Sequence, residues 1–494
     1  MSDAIIRGEG LTASEQRLKA LAERTFLRLW SYPNTFNDRT KKASGGGQEF
    51  ADLFAVFENH VVLFSDKEIG WQKDKPIELA WSRWYRRAIE GSITQLRGAE
   101  RWLDEHPNRI FTDKACTQPL PVPLPAKEDR IVHLIAVASG AEAATRKYFD
   151  APRGTLVLQS ALKGAEHIDN SRQDFHPFFV GDVDPDGTFI HVFDPIGLDV
   201  VMKELDTVGD FTSYLVARAR LLRSASPVIA LGEEHLLAAY MMNGYRDGKP
   251  SFVPGKFRKK ARRKQLIFPE GEYETYTGSA LHAEIERLKR QSMLWDEMIE
   301  LISEDVLKGT SISILDHEPS VDLSERGLRV MAAERRIDRL SLAQSLWGAM
   351  ERCLDEGMAR FVRRAIIARR KPSLNVGYVF LILPENPEQG SHADYRKYRS
   401  LMLSTYCLSL LREQPRLSTV VGLALDIFRR DEEIRTRSED LVVMDSPDWT
   451  PDLLATLDTN KKAFDFKDPR DLHVRGTNRR IRNPFSVSAR RFNG

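Results

Sequence analysis

Along residues 12–30, TASEQRLKALAERTFLRLW, the apolar positions Leu18, Leu21, Ala22, Phe26, Leu29 and Trp30 recur at helical spacing, and Thr12 with Glu15 has the form of a capping box. SYPN (31–34) reads as the end of that helix. The pattern then changes. LFAVF (53–57) and VVLF (61–64) are continuous apolar runs joined by ENH, as strands covered on both faces would be. Residues 79–104, LAWSRWYRRAIEGSITQLRGAERWLD, return to a helical period. Behind the Pro-rich connector QPLPVPLPAKEDR comes another buried run, IVHLIAVA (131–138). The intervening helix is long enough for a crossover, which predicts that the last strand lies parallel to its neighbour.

Further along, HPFFVGDVDPDGTFIHVFD (176–194) reads as a hairpin turning at Pro185-Asp186-Gly187, with a helix near 210–223 after it. Residues 250–275 show no regular period, and helical patterns occupy roughly 279–308 and 333–370. The last section alternates VGYVFLIL (376–383), YRKYRSLMLSTYCLSLLRE (395–413), TVVGLALDIF (419–428) and DLVVMD (440–445), that is strand, helix, strand, strand. No internal repeat occurs. The expected class is α/β, with an N-terminal domain over 1–225, a helical and basic connecting region over 226–330, a smaller C-terminal α/β domain over 331–475 and an Arg-rich tail over 476–494.

Size and composition narrow the picture. A chain of 494 residues is too long for one ordinary core. Seventy-three Lys/Arg against 71 Asp/Glu leave a net charge of +2, so bulk charge announces no polyanion and any nucleic-acid contact has to come from local clusters. Cys116, Cys353 and Cys407 stand singly, which excludes a disulfide framework or a Cys-rich metal site and suits a reducing cytoplasm. The N-terminus lacks the basic-then-apolar pattern of a signal peptide. No apolar run reaches the roughly 18 residues of a membrane helix, so no membrane partner is expected.

Candidate chemistry concentrates in GGGQEFADLFAVFENHVVLFSDKE (45–68). Glu49 and Asp52 stand at the start of the first apolar run, and Ser65, Asp66 and Lys67 at the end of the second. In an antiparallel pair the start of one strand neighbours the end of the other, so Asp52 and Lys67, 15 residues apart, should meet in space with Glu49 close by. Carboxylates that hold Mg²⁺ beside a cation that orients water or stabilises charge are what metal-dependent phosphodiester hydrolysis requires.

This arrangement resembles the PD-(D/E)xK superfamily of restriction-endonuclease-like nucleases, over about residues 12–140 and as far as 223 if the 176–194 segment is included. The resemblance implies an αβββαβ core, with Asp52 as the first metal-binding Asp and Lys67 as the terminal Lys. It also implies Gln95 on the crossover helix as the polar residue beside the site, with Glu23 on the first helix as a further candidate carboxylate. One position departs from the pattern: where the superfamily has Asp or Glu two residues before the Lys, this chain has Ser65. Alternation puts Ser65 and Lys67 on one face and Asp66 on the other. The second carboxylate therefore comes either from Asp66, turned inward by a bulge or the strand end, or from Glu49. The implied metal set is Asp52, Glu49 and Asp66, the cofactor Mg²⁺ with Mn²⁺ as substitute, and the substrate DNA, with RNA left open.

Other features are less specific. Arg83, Arg86 and Arg87 lie among aromatics in WSRWYRRAIEGSIT, either as phosphate contacts or as the wet face of an amphipathic helix. KFRKKARRK (256–264) has seven basic residues in nine, so Lys256, Arg258, Lys259, Lys260, Arg262 and Arg263 are candidate backbone contacts or a solvated loop. DVDPDG (182–187) opens like a calcium loop but puts Phe193 at the twelfth position, and EEHLL (233–237) lacks the HExxH spacing, so neither is a metal motif. The expectation is a cytoplasmic, Mg²⁺-dependent endonuclease, by analogy an anti-phage defence effector, whose C-terminal half senses a trigger or assembles with a second copy or a partner protein. The alternatives are an inactive nucleic-acid-binding or scaffold protein on a nuclease-derived fold, and a protein-interaction module.

Overall fold

The computed structural model describes residues 4–41, 45–243, 245–246, 249–252, 265–310, 321–369, 375–386, 390–466 and 472–476. It is a mixed α/β structure that divides into two units, Ile6–Ile285 and Glu286–Ile481 with Met1–Ile5, the division falling inside one helix, Ala280–Lys308. No helix among the described residues is long and apolar enough to cross a membrane.

The first unit begins with helix α1 (Ala13–Phe26), whose first turn is capped by the Thr12 hydroxyl accepting from the Glu15 N–H, and which buries Leu18, Leu21, Ala22 and Phe26. Leu27, at φ 62°, breaks it. SYPN does not simply end the helix: it opens strand β1 (Ser31–Asn37). Pro33 and the polar residues around it hide a strand that is nonetheless almost wholly buried. Strands β2 (Gln48–Phe57) and β3 (His60–Glu68) form a tight hairpin across Glu58, which takes the positive φ (50°) that such turns require.

Helix α2 (Ile77–Tyr85) passes through a π turn at Arg86–Glu90 into α3 (Gly91–Glu105), and β4 (Ile110–Phe111) follows. Next comes β5 (Ile131–Ser139), which lies parallel to β3 with Lys67 opposite Ala138, as the crossover predicts. The strand order, completed by β8 (Ile190–Phe193), is β4-β1-β2-β3-β5-β8, with β8 parallel to β5. α1 packs on β1 and β2, and α3 packs on β2, β3 and β5. Covering by helices explains why β2 and β3 read as continuous apolar runs.

The hairpin expected at 185–187 is not one. β7 (Phe179–Asp182) pairs in parallel with β6 (Val157–Lys163) in a second sheet, whereas β8 belongs to the first, so the turn joins two sheets. α4 (Glu142–Phe149) precedes these strands in sequence, and α5 (Pro195–Glu204), α6 (Val208–Leu222) and α7 (Glu233–Met242) follow them. β9 (Val228–Ala230) and β12 (Leu266–Phe268) complete the second sheet, and a short ladder of β10 (Tyr245–Arg246) with β11 (Lys249–Pro250) lies apart from it. The stretch expected as a helical connection therefore also supplies strands. It then adds α8 (Glu272–Thr277) and the start of α9 (Ala280–Lys308).

In the second unit, α10 (Val321–Ala332) and α11 (Arg336–Asp355) precede a five-stranded sheet of order β16-β15-β14-β13-β17. The helical period expected to 370 stops at Asp355, and FVRRAIIA forms β13 (Phe361–Ala368) instead, its AII run buried as a continuous block in the manner of a strand covered on both faces. β14 (Asn375–Ile382) and β15 (Leu417–Arg430) are parallel and joined by α12 (His392–Glu413). β16 (Glu433–Asp445) returns antiparallel to β15, α13 (Pro451–Ala463) follows, and β17 (Leu472–Gly476) lies parallel to β13. Leu403, Tyr406, Leu410, Val379, Leu381 and Val420 fill the space between α12 and the sheet. The approach is close at Gly422, where a Cβ would stand 2.6 Å from the Cys407 Sγ.

Candidate active site

The β2–β3 ladder runs to Leu53↔Phe64 and then opens. Beyond that pair, Asp52 Oδ2 accepts the backbone N–H of Asp66 at 2.5 Å, so a side chain replaces the next rung. Asp52 is only 4% exposed. Lys67 Nζ stands 3.9 Å from the same oxygen. Alternation along β3 then sets which helix each neighbour meets. The Ser65 hydroxyl is fully buried and lies 2.9 Å from Gln95 Oε1 and 3.1 Å from Ser92 Oγ, both on α3. The Asp66 carboxylate points to the other helix, where the Ser14 hydroxyl of α1 donates to its Oδ2 at 2.5 Å. Its Oδ1 is buried without a partner.

Two residues not anticipated in this role complete the group. Glu15, legible in the sequence only as a helix-capping residue, accepts from the Leu11 N–H at 2.7 Å and from Asn34 Nδ2 at 2.9 Å. Asn34 lies in β1 between the residues paired with Leu53 and Ala51, hence opposite Asp52, and its φ of 48° is the left-handed conformation that Asn tolerates best among non-glycine residues. The Gly10 N–H donates to its Oδ1 at 3.1 Å, which fixes the amide so that the NH₂ faces the acidic side chains.

The electrostatics follow from crowding. Burial raises the Asp52 carboxyl above its usual range, opposed mainly by the Lys67 ammonium and the Asp66 N–H. Loss of hydration and the Asp52 charge raise Glu49, whose side chain still reaches solvent, so screening moderates the effect. Burial pushes Asp66 up to about 6, with Asp52, Glu15 and Glu68 adding repulsion against the Ser14 hydrogen bond. Glu15 contributes repulsion at Glu49, Asp52 and Asp66 alike, which places its charge among theirs. The Lys67 ammonium thus offsets Asp52 and Glu49, whereas Asp66 meets the charges of Asp52, Glu15 and Glu68. Such a group favours either a proton or a bound cation.

The remaining candidates fall elsewhere. Glu23 pairs with Arg7 at 2.9 Å and Lys19 at 3.7 Å in a separate ion cluster. Arg86 and Arg87 are exposed on the π turn, and Arg83 Nη1 donates to Gln72 at 2.9 Å. Lys256, Arg258, Lys259, Lys260, Arg262 and Arg263 lie outside the described residues, as does the Arg-rich tail. Among the described residues, Asp52, Glu49 and Asp66 do not bring one ligand atom each within 4.8 Å of one another. Compared with protein-family models, with curated proteins and with solved structures, the chain matches none.

Proposed function

We propose that the first unit is a metal-dependent phosphodiesterase acting on DNA, a nuclease with a variant PD-(D/E)xK site. The observation that carries this reading is the approach of Lys67 Nζ to within 3.9 Å of Asp52 at the open end of two adjacent strands. The order α1, β1, β2, β3, α2–α3, β5 supports it as the αβββαβ arrangement, apart from the two-residue β4. Gln95, beside Ser65 on the crossover helix, supports it too.

The residues present fit a divalent cation, since burial raises both Asp52 and the half-buried Asp66, and Asp66 Oδ1 has no partner. Asp52 with Glu49 would hold it, with Glu15 and Asp66 next to them. Mg²⁺ in that position supplies Lewis-acid charge for a phosphate oxygen and an acidified water. Lys67 orients the attacking water or stabilises the charge that develops on the phosphorus centre. Ser65, lacking a carboxylate, leaves that share of the metal site to Glu49.

A second reading, a nucleic-acid-binding protein that does not cut, draws on the spacing of Asp52, Glu49 and Asp66, which are not gathered into a ligand trio. Calorimetric titration of the full chain with Mn²⁺, together with DNA and RNA binding on the same samples, separates the two. The nuclease reading predicts a binding isotherm that Asp52→Ala removes. No Mn²⁺ binding, with nucleic-acid affinity equal in wild type and Asp52→Ala, supports the second.

A further inference from the structure

The carboxyl ends of β14 and β15 in the second unit carry a charged group that the proposed hydrolysis does not use. Tyr395 and Arg399 stand one turn apart on α12, and the Tyr395 hydroxyl donates to the Leu383 carbonyl just past β14 at 2.5 Å. Arg399 is fully buried. Its Nε donates to Asp440 Oδ2 at 2.5 Å, and its Nη1 to Tyr395 Oη at 3.0 Å and to Ser438 Oγ at 3.0 Å. Its Nη2 has no partner. Asp426 is also fully buried and sits directly opposite Ser438 in the β15–β16 ladder, where a bulge interrupts the register after it. Its Oδ1 accepts the Glu385 N–H at 3.0 Å and has Arg437 at 3.5 Å, but its Oδ2 has no partner.

A donor on a buried guanidinium and an acceptor on a buried carboxylate are thus left open on two sides of Ser438. Each open atom forfeits its hydration, a cost that a bound partner would offset. The position is also where open α/β sheets take ligands, outside the carboxyl ends of parallel strands joined by a crossover helix. Both open atoms belong to ions, so the strongest match is a molecule with a charge of each sign. Arg396 and Arg399 both pair with Asp440, and Arg437 lies 3.5 Å from Asp426, so carboxylates already stand against these guanidinium groups, which disfavours a polyanion.

We propose that this edge binds a zwitterion of the α-amino-acid class, its carboxylate on Arg399 and its ammonium on Asp426. The inference does not depend on the nuclease reading. The test is thermal unfolding of the full chain with each standard α-amino acid at millimolar concentration, then with the methyl ester and the N-acetyl form of any that bind. The expected result is a rise of about 3 °C or more with at least one amino acid, absent with either capped form and absent in Asp426→Asn. No rise with any amino acid, as for a gap filled by water, overturns the proposal. So does an equal rise with both capped forms, a readout that stands even where Asp426→Asn fails to fold.

Discussion

The carboxylate of Asp52 accepts the backbone N–H of Asp66 at 2.5 Å. The side chain proposed to hold a metal is therefore also the clip across the diverging ends of β2 and β3. The two roles pull in opposite directions. The hydrogen bond fixes the carboxylate, while burial beside Glu49 and Glu15 makes its charge unfavourable. Strain of this kind is retained where function requires it.

Replacing Asp52 should separate those roles. Asn keeps an oxygen for the Asp66 N–H and removes a charge, so Asp52→Asn should match or exceed wild-type stability, by up to about 1 kcal/mol at neutral pH in EDTA. Asp52→Ala leaves the N–H unsatisfied and should cost about 1–3 kcal/mol. Urea denaturation of the three proteins checks the order; an Asn variant less stable than the Ala variant contradicts it.

Elsewhere in the first unit, burial and the Asp194 charge push Glu234 up to about 8, and its Oε2 lacks a partner. A carboxyl whose folded-state value is raised binds its proton more tightly in the folded protein. The associated stability is therefore fully present below the ordinary Glu value of 4.5 and is lost as pH rises towards 8. The loss is at most about 5 kcal/mol. Glu234→Gln should remove this slope, so wild type and variant should diverge steadily in unfolding free energy between pH 5 and pH 8. Parallel profiles would exclude the effect. Asp66, raised to about 6, adds a smaller slope of the same sign at lower pH.

Ser65→Asp places a carboxylate where the PD-(D/E)xK pattern has one, at a fully buried position beside Gln95. Without metal, the added charge should destabilise the protein by about 2–3 kcal/mol. Mg²⁺ should recover most of that loss, and the recovery should depend on Asp52. A Ser65→Asp protein indifferent to Mg²⁺ would place the metal elsewhere.

Gly140 takes a φ of 101°, and a Cβ there would stand 2.1 Å from the Ile69 carbonyl oxygen, just beyond the end of β3. Gly140→Ala should cost about 2–3 kcal/mol and displace the strand end that carries Lys67. Differential scanning calorimetry gives the first quantity. An unchanged midpoint would mean that the close approach is absent in solution.

What the sequence could convey follows from which interactions are periodic. Covered strands leave continuous apolar runs, so β2, β3 and β5 were legible, and with them the meeting of Asp52 and Lys67. β1 was not, because Pro33, Asn34 and Asn37 look like a loop although tertiary burial makes them a strand. With β1 hidden, Asn34 had no place in the site, and Glu15 was explained already by capping. The separation of β7 from β8 was equally hidden, because a turn sequence does not say whether its flanking strands pair with each other or with other partners.

If Asp52 and Lys67 form a hydrolytic centre, DNA cleavage is its direct readout. Supercoiled DNA is incubated with purified wild type, Asp52→Ala and Lys67→Ala, with Mg²⁺, with Mn²⁺ and with EDTA. Metal-dependent nicking by wild type alone is the expected result. Nicking that survives both substitutions, or that proceeds in EDTA, contradicts it.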